Sequence, residues 1–236
     1  MPTNMMNYNE ELRHLSPAEI LEFFSARYPG KTVFSTSLGA DDQVITHMIV
    51  ERKLPVRIFT LDTGRLFPET YELLDITVKK YQYPIEVYYP DAVSLQKMVT
   101  EKGINLFYDS LANRQLCCAV RKTEPLKKAL KDAEIWICGL RHEQSENRSG
   151  LELTEWDEEH DVLKVYPLLT WTDEQVWEYI RENKVPYNPL HDKKYPSIGC
   201  QPCTRAVETG EDTRSGRWWW EEGTKRECGL HVRAGK

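Results

Sequence analysis

The 236-residue chain has no apolar run approaching the ~20 residues needed to cross a bilayer. Its opening, Met1-Pro2-Thr3-Asn4, lacks the charged-then-apolar pattern of a secretion leader. It has no excess of positive charge either: 31 Lys and Arg against 37 Asp and Glu give a net charge of −6. No broad field therefore draws in nucleic acid. There is no internal repeat and no low-complexity tract. Neither the Gly-x-Gly-x-x-Gly fingerprint nor the Walker phosphate loop is present. These absences point to a cytoplasmic chain, where thiols stay mostly reduced. The six cysteines then suggest metal binding or catalysis and not a disulfide frame. The length, with 40% hydrophobic residues, fits one domain, or one domain with an appendage, around a sizeable core.

What is present is an alternation of short apolar runs with amphipathic ones. Ser16-Pro17-Ala18-Glu19 carries the signals of a helix start: a serine cap, an early proline and an acid at the third position. Residues 31–36, 56–61, 85–89, 134–140 and 162–168 have the composition of strands. Residues 41–52, 68–81, 92–101, 118–130 and 172–182 have that of helices. Val44, Ile45, Met48 and Ile49 share one face of the first of these, and Tyr71, Leu74 and Val78 line up on the second. The pattern predicts an α/β fold with a mainly parallel sheet and helices on both faces. Such sheets bind ligands beyond the carboxyl ends of their strands. We expect residues 1–204 to form this domain and 205–236, rich in Gly, Arg and Trp, to form an irregular, mobile tail.

Four elements carry chemistry. Ser35-Thr36-Ser37-Leu38-Gly39-Ala40-Asp41-Asp42 joins the first strand to a helix; small residues and hydroxyls there suit an anionic ligand, and Ser35, Ser37 and Gly39 are the candidates. Leu61-Asp62-Thr63-Gly64 ends the second strand, where Asp62 and Thr63 could bond a ribose or a base edge. Cys117-Cys118 and Cys200-x-x-Cys203 supply four thiols from two distant segments, enough for a tetrahedral zinc or an iron–sulfur cluster. Adjacent cysteines suit two irons of a cluster better than one zinc. Cys138, inside the apolar run Ile135-Trp136-Ile137, is expected to be packing. Cys228 lies among Lys225, Arg226 and His231, where neighbouring cations favour the reactive thiolate. Arg121, Lys122, Arg141, Arg214 and Arg217 flank these elements and suit phosphate or sulfate. Trp218-Trp219-Trp220 is expected to pack the tail, and His191-Asp192 to form a turn.

In order, these motifs resemble those of the assimilatory adenylyl-sulfate reductases, of the phosphoadenylyl-sulfate reductase family. The cysteine pair and Glu227-Cys228-Gly229-Leu230-His231 are the most specific of them, and the resemblance runs from about residue 31 to residue 231. It implies an adenine-nucleotide α-hydrolase-like (Rossmann-like) fold and a [4Fe-4S] cluster on Cys117, Cys118, Cys200 and Cys203. It also implies Cys228 as nucleophile, with His231 beside it, and Lys122, Arg214, Arg217 and His231 as ligands of the phosphosulfate. Adenosine 5′-phosphosulfate would be reduced to sulfite and AMP in sulfate assimilation towards cysteine, through an S-sulfocysteine. No thioredoxin-like segment is found in the chain, so thioredoxin or glutaredoxin is expected from outside. A homo-oligomer is compatible with this picture. The first loop departs from the Ser-Gly-Gly-x-Asp-Ser form of that superfamily's ATP-splitting members.

Three other readings keep part of this pattern. One is reduction of the 3′-phosphorylated nucleotide, alone or with the unphosphorylated one. Another is ATP-dependent sulfur transfer or tRNA thiolation, for which the intact loop and a basic face are missing. The last is a zinc-organised nucleotide-binding module without activity.

Overall fold

A computed structural model of the chain describes residues 8–145 and 148–221. Cys228 and His231 lie outside the described residues. Six strands occur: β1 (Thr32–Ser35), β2 (Arg57–Leu61), β3 (Ile85–Tyr88), β4 (Ile135–Ile137), β5 (Thr154–Asp157) and β6 (Val162–Val165). They belong to one sheet in the order β3-β2-β1-β4-β6-β5. β1 pairs parallel to β4 (Val33 opposite Trp136) and β4 parallel to β6, whereas β5 runs antiparallel to β6. The strand order reverses between β1 and β4, and in open α/β sheets such a switch point is where ligands bind. The mainly parallel sheet predicted from the alternation is therefore present; β5 is a strand the pattern did not reveal.

The chain divides into two compact units. The first comprises residues 1–36, 40–58 and 132–186. It contains α1 (Tyr8–Leu12), α2 (Pro17–Arg27), α3 (Ala40–Glu51) and α8 (Asp173–Glu182). At the start of α2, Ser16 Oγ accepts from the Glu19 amide while the Glu19 carboxylate accepts from the Ser16 amide, a reciprocal cap that satisfies two orphan donors. Val44, Ile45 and Ile49 of α3 are fully buried with Phe24, Phe34, Trp136, Val165 and Ile180.

The second unit comprises residues 37–39, 59–131 and 187–236. It contains α4 (Pro68–Tyr81), α5 (Ala92–Lys102), α6 (Leu111–Cys118) and α7 (Glu124–Leu130). Between α6 and α7 the helix widens into a π turn over Ala119–Thr123, closed by the Glu124 amide on the Ala119 carbonyl. The helix expected over 118–130 thus starts seven residues earlier and changes pitch. On α4 the buried stripe is Thr70, Leu73 and Thr77, one position off the expected Tyr71, Leu74 and Val78. The threonines tolerate burial because Thr77 Oγ1 donates to the Leu73 carbonyl and Thr70 Oγ1 accepts from Asn188 Nδ2. The core of this unit gathers Met98, Leu106, Phe107 and Trp218 around Cys117, Cys200 and Cys203. Residues 205–221, the described part of the expected tail, are packed here: Arg205 donates to the Gly216 carbonyl and Trp218 to the Cys203 carbonyl.

Candidate functional site: a switch-point loop and a four-thiol pocket

At the switch point of the first unit, Ser35 ends β1 and its Oγ accepts from Trp136 Nε1 at 2.8 Å. β4 runs into Cys138 and Gly139. Cys138 is buried and burial pushes its thiol far up, as core packing requires. A Cβ on Gly139 would lie 2.1 Å from Asp42 Oδ1, so the glycine leaves room for the Asp42 carboxylate in the first turn of α3. Arg141 follows and is almost fully buried. Its guanidinium donates to the Asp41 and Asp173 carboxylates and to the Trp171 carbonyl at 3.1 Å. Gln144 Nε2 holds the second oxygen of Asp41 at 2.9 Å. Burial alone would lower the Arg141 pKa; Asp41 and Asp173 outweigh it and raise it. As an anion ligand Arg141 would have to exchange a carboxylate for the ligand. Ser37 and Gly39, from the same loop, belong to the second unit.

In the second unit the turn after β2 is tied down from several sides. Asp62 Oδ1 accepts from the Gly64 amide at 2.7 Å and from the Tyr71 hydroxyl at 2.8 Å. Burial and this carboxylate push the Tyr71 phenol up to about 12. Thr63, expected to touch nucleotide, is buried: its Oγ1 lies 3.3 Å from Cys200 Sγ and its carbonyl accepts from Arg121 Nη1 at 2.6 Å. Arg121 is accordingly a buried strut for this turn as well as a neighbour of the thiols. The Gln201 amide donates to the Arg65 carbonyl at 2.8 Å, joining the turn to the Cys-x-x-Cys segment.

The two cysteine segments meet. α6 delivers Cys117 and Cys118, and a 3₁₀ turn over Gln201–Cys203 delivers Cys203 beside Cys200. All four thiols line one pocket of about 370 Å³, its open mouth included, with Arg65, Arg114, Arg121, Lys122 and Trp218. Three of the thiols are buried and Cys118 is half-buried. Burial raises the Cys117 pKa, and burial together with Cys200 pushes Cys203 up to about 12. Among the described residues, no three His, Cys, Asp or Glu side chains stand as a ready-made single-ion site.

Trp218 lines this pocket, and Arg217 and Gly199 pack close to it. Trp218 has φ +45°, a conformation costing a bulky side chain about 1–3 kcal/mol. Its ring is fully buried, with the guanidinium carbons of Arg114 and Arg217 at 4.7 Å and 4.9 Å from its centroid. Cations this close to a desolvated indole ring are attractive, which offsets part of the strain. Arg217 is pinned by an isolated bridge to Thr204 and by Ser197 Oγ at 3.3 Å. A Cβ on Gly199 would meet Arg217 Nη2 at 2.2 Å, so the glycine beside Cys200 is the seat of that guanidinium. Gly199→Ala is expected to displace Arg217 and destabilise the chain by about 1–3 kcal/mol, as overpacking does. A thermal melt checks this, and an unshifted midpoint would refute the seat. Arg214 is half-buried and its carbonyl accepts from the Arg217 amide. Trp219 is partly exposed and Trp220 packs on Tyr108 at 4.5 Å, so the tryptophans are mostly packing. His191 and Asp192 form a 3₁₀ turn, Asp192 accepting from Tyr187.

A mainly parallel α/β sheet with a polar loop at its switch point has the layout of the nucleotide-binding α/β proteins. The phosphoadenosine phosphosulfate reductase domain matches residues 31–206, and the chain belongs to that family. Over 201 residues it is 52% identical to an adenosine 5′-phosphosulfate reductase of Allochromatium vinosum, covering 85% of this chain and 78% of that one. It is 48% identical over 209 residues to one from Agrobacterium fabrum, covering 89% and 80%. A crystal structure of phosphoadenylyl-sulfate reductase from Candida auris, in a phosphate complex, superposes with TM-score 0.73 at 33% identity, covering 84% of this chain and 94% of that one. Yeast FAD synthetase, at 16% identity and TM-score 0.57, shares the fold.

Proposed function

We propose that the chain reduces adenosine 5′-phosphosulfate to sulfite and AMP in the cytoplasm, in sulfate assimilation towards cysteine. The observation that carries this is 46–52% identity, over most of the chain, to proteins that all bear the name adenosine 5′-phosphosulfate reductase. The Cys228 thiolate attacks the sulfate sulfur; the S–O bond to the phosphate breaks and AMP leaves with the electron pair. Cys228 then carries an S–SO₃⁻ group. A thioredoxin or glutaredoxin thiolate attacks the Cys228 sulfur, sulfite departs with its pair, and the second thiol of that partner resolves the mixed disulfide. The partner is oxidised to its disulfide and Cys228 returns as a thiol. Splitting one reduction into two displacements is what a nucleophilic cysteine offers.

Within the second unit the residues for anion binding are Lys122, Arg214 and Arg217, with Ser37 and Gly39 of the loop and Asp62 for the nucleoside; Ser35 ends β1 in the first unit. The four thiols fit a [4Fe-4S] cluster: they share one pocket with Arg65, Arg121 and Lys122, whose charges offset part of the charge of four thiolates. Buried protonated thiols give up their protons on binding metal. When bound, the cluster would tune the electrostatics of the neighbouring cations.

The test is to mix the purified protein with the nucleotide, without reductant, and weigh it. A gain of one SO₃ group on Cys228 is expected. No adduct, or an adduct on Cys203, would overturn the mechanism. The 33%-identical phosphoadenylyl-sulfate reductase keeps the 3′-phosphorylated nucleotide as a second reading; the rates of adduct formation with both nucleotides decide.

A further inference from the structure

Trp136 of β4 is fully buried, and its Nε1–H donates to the Oγ of Ser35, the residue where β1 gives way to the switch-point loop. Lys164 lies opposite Trp136 in the β4–β6 register, its ammonium 4.8 Å from the centroid of the indole. That ammonium is paired with the Asp157 carboxylate, which also accepts from His160 Nδ1 at 3.1 Å. Burial alone would raise the Asp157 carboxyl; the hydrogen bonds from His160 and Lys164 outweigh it and hold it far below the usual carboxylate range. The His160 ring in turn meets the indole edge-on at 5.6 Å. Only 4% of the His160 side chain is exposed, 8% of Asp157 and 9% of Lys164. Burying such a set costs desolvation that an apolar set of the same volume would avoid. Packing alone is therefore a poor account of it, and its contacts converge on the indole that reaches Ser35.

A serine hydroxyl has one hydrogen to donate and two lone pairs with which to accept. With one lone pair filled by the indole, the Ser35 hydrogen is directed away from Trp136. The hydroxyl also reaches the Cys138 sulfur, a weak acceptor that an anionic phosphoryl oxygen displaces. We propose that Trp136 is a positioning residue for nucleotide binding: by occupying Ser35 Oγ it presents the hydroxyl hydrogen to a phosphoryl oxygen at the switch-point loop, while Lys164, Asp157 and His160 hold the indole in place. This rests on the reading of the site as an adenine-nucleotide site, and adds to it a core residue that the ligand never touches.

The test is AMP titration of the full chain, purified without oxygen, as Ser35→Ala, Trp136→Phe and the double variant. Each single variant is expected to weaken AMP binding about three- to tenfold, the scale of one hydrogen bond. The double variant binds no more weakly than the worse single, because Trp136 acts only through Ser35. A merely structural tryptophan would cost the same affinity with or without the serine. That outcome, or parent-like affinity in either single variant, overturns the inference. A second measurement needs no substitution in the core. With isotope-labelled tryptophan, the indole N–H resonance that moves in Ser35→Ala also moves when AMP is added to the parent. If no resonance answers to both, the inference is overturned even where Trp136→Phe fails to fold. A parent that binds no AMP fails the nucleotide reading itself, and the inference falls with it.

Discussion

On the proposed cluster and reaction, a Cys228→Ser chain is expected to bind iron and AMP as the parent does and to release no sulfite, whereas Cys203→Ser loses iron first. The two thiols differ in their surroundings. Cys203 is buried in an apolar cluster, with a thiol pushed up to about 12, and shares a pocket with three others. A thiol so raised is a poor free nucleophile, and metal binding is the chemistry that makes it ionise. Cys228 lies outside the described residues, and its sequence neighbours Lys225 and Arg226 are the kind of groups that favour a thiolate. Iron analysis, AMP titration and sulfite assay on both variants separate these roles. Sulfite release by Cys228→Ser would remove Cys228 from the reaction. Undiminished iron in Cys203→Ser would remove Cys203 from the ligand set.

Arg141→Met is expected to destabilise the first unit by about 3 kcal/mol, seen as a melting point lower by roughly 6–12 °C. The substitution strands Asp41, a carboxylate with 18% of its side chain exposed, without its guanidinium. Removing one member of a buried pair leaves an uncompensated charge, which costs more than the pair itself contributes. Asp173 is 65% exposed and regains water, so the loss falls at the low end of the usual range. Adding Asp41→Asn to Arg141→Met is expected to recover part of the melting point, since Gln144 still satisfies the amide that replaces the carboxylate. A single variant melting like the parent would mean that the network contributes little.

Much of the fold was legible because its signals are local. The serine cap and early proline mark α2, and Pro68 marks the first turn of α4. β5 was not legible: Thr154-Glu155-Trp156-Asp157 has no apolar run, and it becomes a strand only by lying antiparallel on β6. α6 was hidden in the same way, since Asn113, Arg114 and Gln115 look like solvated surface until the pocket gives Arg114 two partners. The four pocket cysteines could be named from the sequence, and the structure brings them together. Thr63 could be named but not placed, because its neighbour Cys200 is 137 positions away in sequence. Trp218, Gly199 and Glu221 acquire meaning only through packing, which no spacing announces.

The π turn between α6 and α7 carries one residue more than an α-helical turn would hold. Deleting a single residue from 119–123 would let the helix run straight on. It would also swing Cys117 and Cys118 by about 100° relative to α7. The cysteine pair would then leave the pocket while the core of α7 stayed where it is. A one-residue change in length at this point is therefore a step by which a chain of this fold could dismantle the four-thiol pocket and keep its sheet.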